Sequence, residues 1–149
     1  MMEPVLAPLG RRALGLFIDQ TAAAVPMILL FLALGYQFDQ MVTGTPGFWF
    51  NIGFVVIGLL HETIGVARFG RTLGKLITGT RVVHAVSLGA VSLSSSLIRS
   101  LVPAAFGVIP GIGMVLGMGV YLWAFFDPRR QGVHDKAAGT LVVLNVQPT

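Results

Sequence analysis

The sequence predicts an all-α membrane protein in which two spanning helices precede a helical hairpin broken by proline and glycine, giving about four apolar segments with short cytoplasmic strands or loops. Hydrophobic residues make up 54% of the 149 residues and charged residues only 11%, under half the ~25% of an ordinary soluble domain. The charged residues cluster at the ends of long apolar runs, and Pro110-Gly111 interrupts one such run. A soluble domain and a disordered chain are both excluded, since the charges are too few and the apolar residues too many.

The first apolar segment covers about residues 13–36 and follows Arg11 and Arg12. A cleaved signal peptide also begins with basic residues before an apolar run. This run is longer than the apolar core of a signal peptide and contains Asp19, so a membrane-spanning helix is favoured. The short loop that follows holds Asp39 and no lysine or arginine.

The second apolar segment covers about residues 47–67 and opens with the aromatic residues Phe48-Trp49-Phe50, which are typical of a membrane interface. It ends at Arg68. Basic residues before the first segment and after the second place both of those ends in the cytoplasm. The loop that contains Asp39 is therefore expected outside.

Residues 68–96 are too polar and too rich in glycine to span a membrane, which predicts a cytoplasmic loop. Thr72–Ile77 is expected to lie along the inner surface, where Lys75 reaches lipid headgroups. β-branched residues between Thr80 and Ser94 predict a short strand or hairpin. The basic residues expected to contact anionic lipid or neighbouring loops are Arg71, Lys75 and Arg81.

Residues 97–126 form an apolar run that would measure ~45 Å as a straight helix, well beyond the ~30 Å membrane core. Pro110-Gly111 breaks it near the middle, and basic residues flank both ends. A hairpin of segments 97–109 and 113–126 is favoured, with arms short enough to be re-entrant unless the first begins near Ser92. A single tilted helix is the alternative, and it would place the C-terminus outside. Small residues spaced for close helix packing are Gly107, Gly111, Gly113 and Gly117.

Residues 127–149 are expected to form a cytoplasmic tail, which completes a single membrane domain over residues 1–149 with both termini inside. Residues 139–143 in the tail (GTLVV) are similar to residues 79–83 in the loop (GTRVV). An internal duplication, two strands that pair, or chance in a valine-rich chain would each produce this likeness.

No catalytic or cofactor motif is complete, and we expect no enzyme, cofactor or metal site. Cysteine is absent, which excludes disulfides and thiolate chemistry. Gly70–Lys75 is one residue short of a P-loop, and His61-Glu62 lacks the second histidine of a zinc-protease helix. The net charge of +4 comes from basic residues that flank apolar runs, so anionic lipid headgroups rather than nucleic acid are the expected partner.

The ionisable residues within or beside the apolar segments form the candidate site. Helical rise places Asp19 and Glu62 each ~9–10 Å from the basic end of its segment. Because the two segments run in opposite directions, Asp19, His61 and Glu62 are expected at one level in the cytoplasmic third, within reach of Arg99. Unpaired charges cost ~2.5–3.5 kcal/mol at mid-membrane, so these groups should pair. The cluster, with Arg12, is either a proton or cation pathway or a static polar clamp.

Three stretches carry a family resemblance. They are Arg12–Asp19 (RALGLFID), Gly70–Lys75 (GRTLGK) with Thr80–Val83 (TRVV), and Gln131–Thr140 (QGVHDKAAGT). Together they resemble the RDD family of bacterial membrane proteins, named for an arginine that starts the first helix, an aspartate within it and a further aspartate. The matching residues are Arg12, Asp19 and Asp135, with Asp127 a weaker match for the last. Gly15 departs from the family, which usually has alanine there.

The resemblance implies a small multi-pass protein of the bacterial cytoplasmic membrane, in a family for which transport of ions or small ligands is proposed. Some members resemble accessory subunits of larger assemblies. An oligomeric transporter and a non-transporting subunit of a larger complex are therefore both expected functions. For Asp135 the resemblance favours docking of the tail, through a bridge to Arg71, Lys75 or Arg81, over a direct part in transport.

Overall fold

The computed structural model describes residues 4–109 and 112–145, apart from the side chain of Met114. Helices dominate, and two short strands join them. The helices are α1 (Leu9–Ala33), α2 (Gly44–Phe69), α3 (Leu73–Ile77), α4 (Leu93–Gly107), α5 (Gly113–Leu122) and α6 (Val133–Ala138), with a 3-10 turn at Trp123–Phe125; the strands are β1 (Thr80–His84) and β2 (Thr140–Leu144).

The helices α1 and α2 are long and apolar enough to cross a membrane. Their 25 and 26 residues correspond to ~38 Å each, against a hydrocarbon core of ~30 Å. Only 22% and 11% of their most apolar windows are buried inside the chain, which is the opposite of a soluble core helix. They pack side by side in opposite directions, with Phe31 of α1 against Phe50 of α2. These two helices are therefore candidate membrane spans.

The helices α4 and α5 are too short to span a membrane alone, at ~22 Å and ~15 Å. Gly113 at the start of α5 lies against the carbonyl of Phe106, near the end of α4. Gly117, one turn later in α5, lies near Pro103, one turn earlier in α4. The helix α5 therefore folds back over α4. The helix α4 begins at Leu93, because the hydroxyl of Ser92 accepts a hydrogen bond from the Ser95 backbone at 3.1 Å and caps it. The first arm therefore begins near Ser92, which was the alternative to a start at residue 97.

The two segments of similar sequence, residues 79–83 and 139–143, contribute the strands β1 and β2, which pair in antiparallel register with Thr80 opposite Leu144. Val82 and Val142 pack with Val66 near the end of α2. Residues 68–96 are therefore more than a loop, since they contain α3, β1 and the first turn of α4.

The short helix α3 lies directly on α1. At Gly74 an added Cβ would overlap the carbonyl oxygen of Gly15 and come within 2.9 Å of the Asp19 carboxyl carbon. The two glycines therefore allow backbone contact between the helices, and this contact brings the start of α3 to Asp19.

Candidate functional site

Asp19 accepts hydrogen bonds from two different elements. Its Oδ1 accepts from the backbone N–H of Gly74 at 2.7 Å and lies 3.1 Å from His61 Nε2, while its Oδ2 accepts from the hydroxyl of Thr72 at 2.5 Å. Lys75 Nζ lies 3.7 Å from Oδ2. Asp19 thus joins α1 to α2 and to the start of α3.

Glu62 lies between two cations. Its Oε2 is 2.9 Å from Lys75 Nζ, and its Oε1 accepts from Arg99 Nε at 2.9 Å. Because Lys75 also approaches Asp19, it links the two carboxylates.

Asp135 is fully buried and receives two guanidinium groups. Arg12 Nη2 donates to Oδ2 at 2.5 Å, and Arg99 Nη1 donates to Oδ1. The backbone N–H of Gly132 also donates to Oδ2, at 2.9 Å, which caps the start of α6. Burial alone would raise the pKa of Asp135, but the adjacent positive charges, Arg99 first, lower it well below its usual value.

The partners expected for Asp135 were wrong. The tail docks through Asp135, but onto Arg12 and Arg99 instead of Arg71, Lys75 or Arg81. Those three belong to the segment between α2 and α4, whereas Asp135 faces the start of α1 and the middle of α4.

Together these contacts form one continuous chain of ion pairs, which we call the polar cluster. It contains three carboxylates, Asp19, Glu62 and Asp135, and three cations, Arg12, Lys75 and Arg99. The three negative and three positive formal charges balance. His61 contacts Asp19 at one end of the polar cluster. The cluster joins α1, α2, α3, α4 and α6.

The remaining predicted residues lie around this cluster. Lys75 points inward to the two carboxylates rather than outward to lipid headgroups. Without it, the buried carboxylates would lack a compensating charge, which is costly. Arg81 is exposed and Arg71 is partly exposed. Gly107 packs against Val55 of α2 and accepts from Asn51 at 3.2 Å. Gly111 lies outside the described residues.

Two cavities adjoin the polar cluster. The helix cavity, of about 420 Å³, lies between α1, α2, α4 and α5 and reaches from Asn51 to Asp19 and His61. The tail cavity, of about 400 Å³, is lined by Arg12, Arg99 and His134. Glu62 and Tyr121 contribute to the walls of both.

Sequence reasoning missed Thr72, Thr140 and His134. Thr72 caps α3 and binds Asp19, and Thr140 lies 3.3 Å from Arg99 Nη1. His134 is buried against the ring of Tyr121, with centroids 4.5 Å apart. Thr72 could have been found as a capping residue, because a threonine directly before an apolar residue that starts a helix is a typical N-cap. The other two depend on contacts between distant segments.

A family model described as the RDD family matches residues 6–139. The chain belongs to the RDD family. Family membership and the two long apolar helices together indicate a membrane protein. Arg12, Asp19 and Asp135 of this RDD protein lie in the same cluster of ion pairs. Comparison with curated proteins and with solved structures gives no match.

Proposed function

We propose that this RDD protein moves protons or small cations through its helix cavity, with His61 and Asp19 as the groups that exchange them. The observation that carries the proposal is a contrast within the polar cluster. The His61 side chain is 33% exposed, whereas the side chains of Arg99 and Asp135 are 3% and 0% exposed. The His61 end of the cluster is therefore far more exposed than the pair of Arg99 and Asp135.

The helix cavity supplies a route to the accessible end. Its walls combine apolar residues of four helices with Asn51 at one end and Asp19, His61 and Glu62 at the other. Ionisable groups in a membrane segment are expensive to maintain and commonly mark ion or proton pathways. A cavity that leads to three of them supports such a pathway.

The pair of His61 and Asp19 has the chemistry of a proton relay. A neutral imidazole has one donor and one acceptor nitrogen, so it takes a proton on one nitrogen and releases one from the other. With Nε2 hydrogen-bonded to Asp19 Oδ1, we propose that His61 receives a proton at Nδ1 and passes one to Asp19. Asp19 then releases the proton to water on the α3 side, where the hydroxyl of Thr72 donates to its other oxygen.

Flux measurements in proteoliposomes test this function. We expect His61→Gln and Asp19→Asn to abolish a pH- or cation-driven change in the signal of an entrapped pH dye. Glutamine has an N–H to donate to Asp19 but does not titrate, so His61→Gln separates proton exchange from the structural hydrogen bond. Asp39→Asn is the matched control, since Asp39 lies in the loop between α1 and α2. Parent protein that moves no ion under any gradient, or a fully active His61→Gln, would contradict the proposal.

A non-transporting accessory subunit is the second candidate, because the polar cluster is balanced in charge and typical of a static clamp. A partner would then bind a surface other than that of Gly107, Gly113 and Gly117, since these three glycines pack within the chain. Purification from the native host in mild detergent tests it. A stoichiometric partner would support the subunit, and elution without one would contradict it.

A further inference from the structure

The tail cavity has one end lined by charged side chains and one end lined by apolar side chains. Among the described residues, its inner end presents three cationic side chains, Arg12, Lys75 and Arg99, and one carboxylate, Glu62. The imidazole of His134 lies at the same end. Asp19 and Asp135 pair with these cations but do not line the cavity. A molecule inside it therefore meets a surface richer in cations than the polar cluster as a whole.

The outer end of the tail cavity is apolar and exposed. Phe17 of α1 is 69% exposed, and Phe125 after α5 is 64% exposed. Leu122 and Met118 line the same end and are also exposed. Since α1 is a candidate membrane span, we expect this opening to face lipid.

His134 gives an independent indication of a ligand. It is 1% exposed and lines the tail cavity, yet neither ring nitrogen has a hydrogen-bond partner among the described residues. The nearest carboxylate oxygen, on Asp135, is 3.6 Å from Nε2, which is beyond hydrogen-bonding distance. Burial lowers the pKa of His134 to about 4, so the ring is neutral and has one donor to offer. Buried polar groups are usually paired, and an unpaired one calls for a missing partner.

We propose that the tail cavity binds an amphiphile with one acyl chain and an acidic head, such as a fatty acid or a lysophospholipid, drawn from the surrounding bilayer. Its acidic oxygens lie at the basic end and accept from His134. Its chain leaves between α1 and α5, past Phe17 and Phe125. A volume of about 400 Å³ lies near the lower limit of ordinary ligand pockets, ~300–1,000 Å³, which favours one chain over two.

Photo-crosslinking tests this site without any transport measurement. The full chain is reconstituted into phosphatidylcholine nanodiscs and irradiated with a diazirine analogue of palmitic acid, and the labelled peptides are identified by mass spectrometry. We expect label within residues 9–20 and 118–125, the two walls of the opening.

Two alanine substitutions separate the cavities. Ala13 lines only the tail cavity and Ala104 lines only the helix cavity. We expect Ala13→Phe to reduce labelling several-fold and Ala104→Phe to leave it unchanged. The flux assay should show the reverse, so failure of this proposal is distinguishable from failure of the proposed function.

Competition with unlabelled amphiphiles identifies the head group of the bound ligand. Unlabelled oleate or lysophosphatidate should displace the probe, and whichever is effective at lower concentration identifies the source of the ligand. Methyl oleate, which has the same chain without an acid, should not displace it. His134→Phe, which fills the same space with no donor, should weaken displacement by the acids.

If methyl oleate displaces the probe as well as oleate does, the proposal that the ligand has an acidic head group is wrong. Labelling that persists in Ala13→Phe would mean contact with bulk lipid only and would overturn the site itself. Thermal unfolding of each variant in detergent confirms that it folds. If Ala13→Phe does not fold, Leu122→Trp fills the same opening from α5 and decides the question.

Discussion

At the scale of single residues, Arg99 is the central group of the polar cluster. Its guanidinium bonds to Glu62 through Nε and to Asp135 through Nη1. Removing one partner of a buried ion pair costs ~3–5 kcal/mol, because the other charge is left without compensation. Arg99 therefore holds α2, α4 and α6 together, and its role is separate from exchange at His61.

His134 makes the folded protein sensitive to acid. Its pKa falls from 6.5 in the unfolded chain to about 4 in the folded one, mainly because of burial. The unfolded state therefore binds more protons between these values, so stability is full above about pH 6.5 and is lost progressively as the pH falls to 4. We expect His134→Phe to remove this dependence, on the order of 3 kcal/mol over the interval, as measured by thermal unfolding in detergent.

The control for this prediction is His84→Phe, at the end of β1, which should keep the acid sensitivity of the parent protein. Asp135, whose pKa is lowered, adds a separate loss below about pH 4 in all three proteins. A His134→Phe protein that loses as much stability between pH 6.5 and 4 as the parent would contradict the assignment to His134.

At the scale of elements, the contact between α1 and α3 depends on two glycines. An added Cβ at Gly15 would lie 3.2 Å from Thr78 Oγ1 and 3.3 Å from the carbonyl oxygen of Gly74, which is tight but close to ordinary contact. An alanine at position 15 would therefore fit between α1 and α3 with a small shift. Gly74, the glycine of α3 that faces Gly15, leaves no room for an added Cβ, which would overlap the carbonyl oxygen of Gly15.

We therefore expect Gly74→Ala to destabilise the protein by about 1–3 kcal/mol, as overpacking typically does. It should also weaken flux, because the N–H of residue 74 moves away from Asp19. The matched control is Gly10→Ala, since an added Cβ at Gly10 meets nothing within 4 Å. Unfolding temperatures and proteoliposome flux measure both variants. Equal stability of Gly74→Ala and the parent would show that α3 can move off α1 without cost.

The sequence predicts the positions of elements better than their contacts. Helical rise placed Asp19 and His61 at one level, and they lie 3.1 Å apart because two long antiparallel helices leave little freedom of register. The partners of Asp135 depend on how the tail folds back over about 120 residues of chain, which no local pattern encodes. Lys75 looked like a surface residue because its inward partners lie on other helices.

At the scale of the whole molecule, the basic residues gather at one end. Arg11 Nη1 lies 3.5 Å from the carbonyl of Thr78, and Arg129 Nη2 donates to Ala85 at 2.8 Å. Both contacts are beside the two-stranded sheet, as is the end of α2 near Arg68. Asp39 lies at the opposite ends of α1 and α2. The positive-inside rule therefore predicts that the sheet lies on the cytoplasmic side of the membrane.

Single cysteines test this orientation, since the chain has none of its own. A membrane-impermeant maleimide added to intact cells should label Asp39→Cys and leave Ser87→Cys and Ala137→Cys unlabelled until the cells are opened. Ser87 and Ala137 are both exposed, so lack of label would report the side of the membrane and not burial. Labelling at position 137 distinguishes a hairpin from a single tilted helix over residues 97–126. Only the hairpin returns the tail to the same side of the membrane as Ser87. Labelling of Ala137→Cys in intact cells, with Ser87→Cys unlabelled, would contradict the hairpin and would separate Asp135 from Arg12 across the membrane.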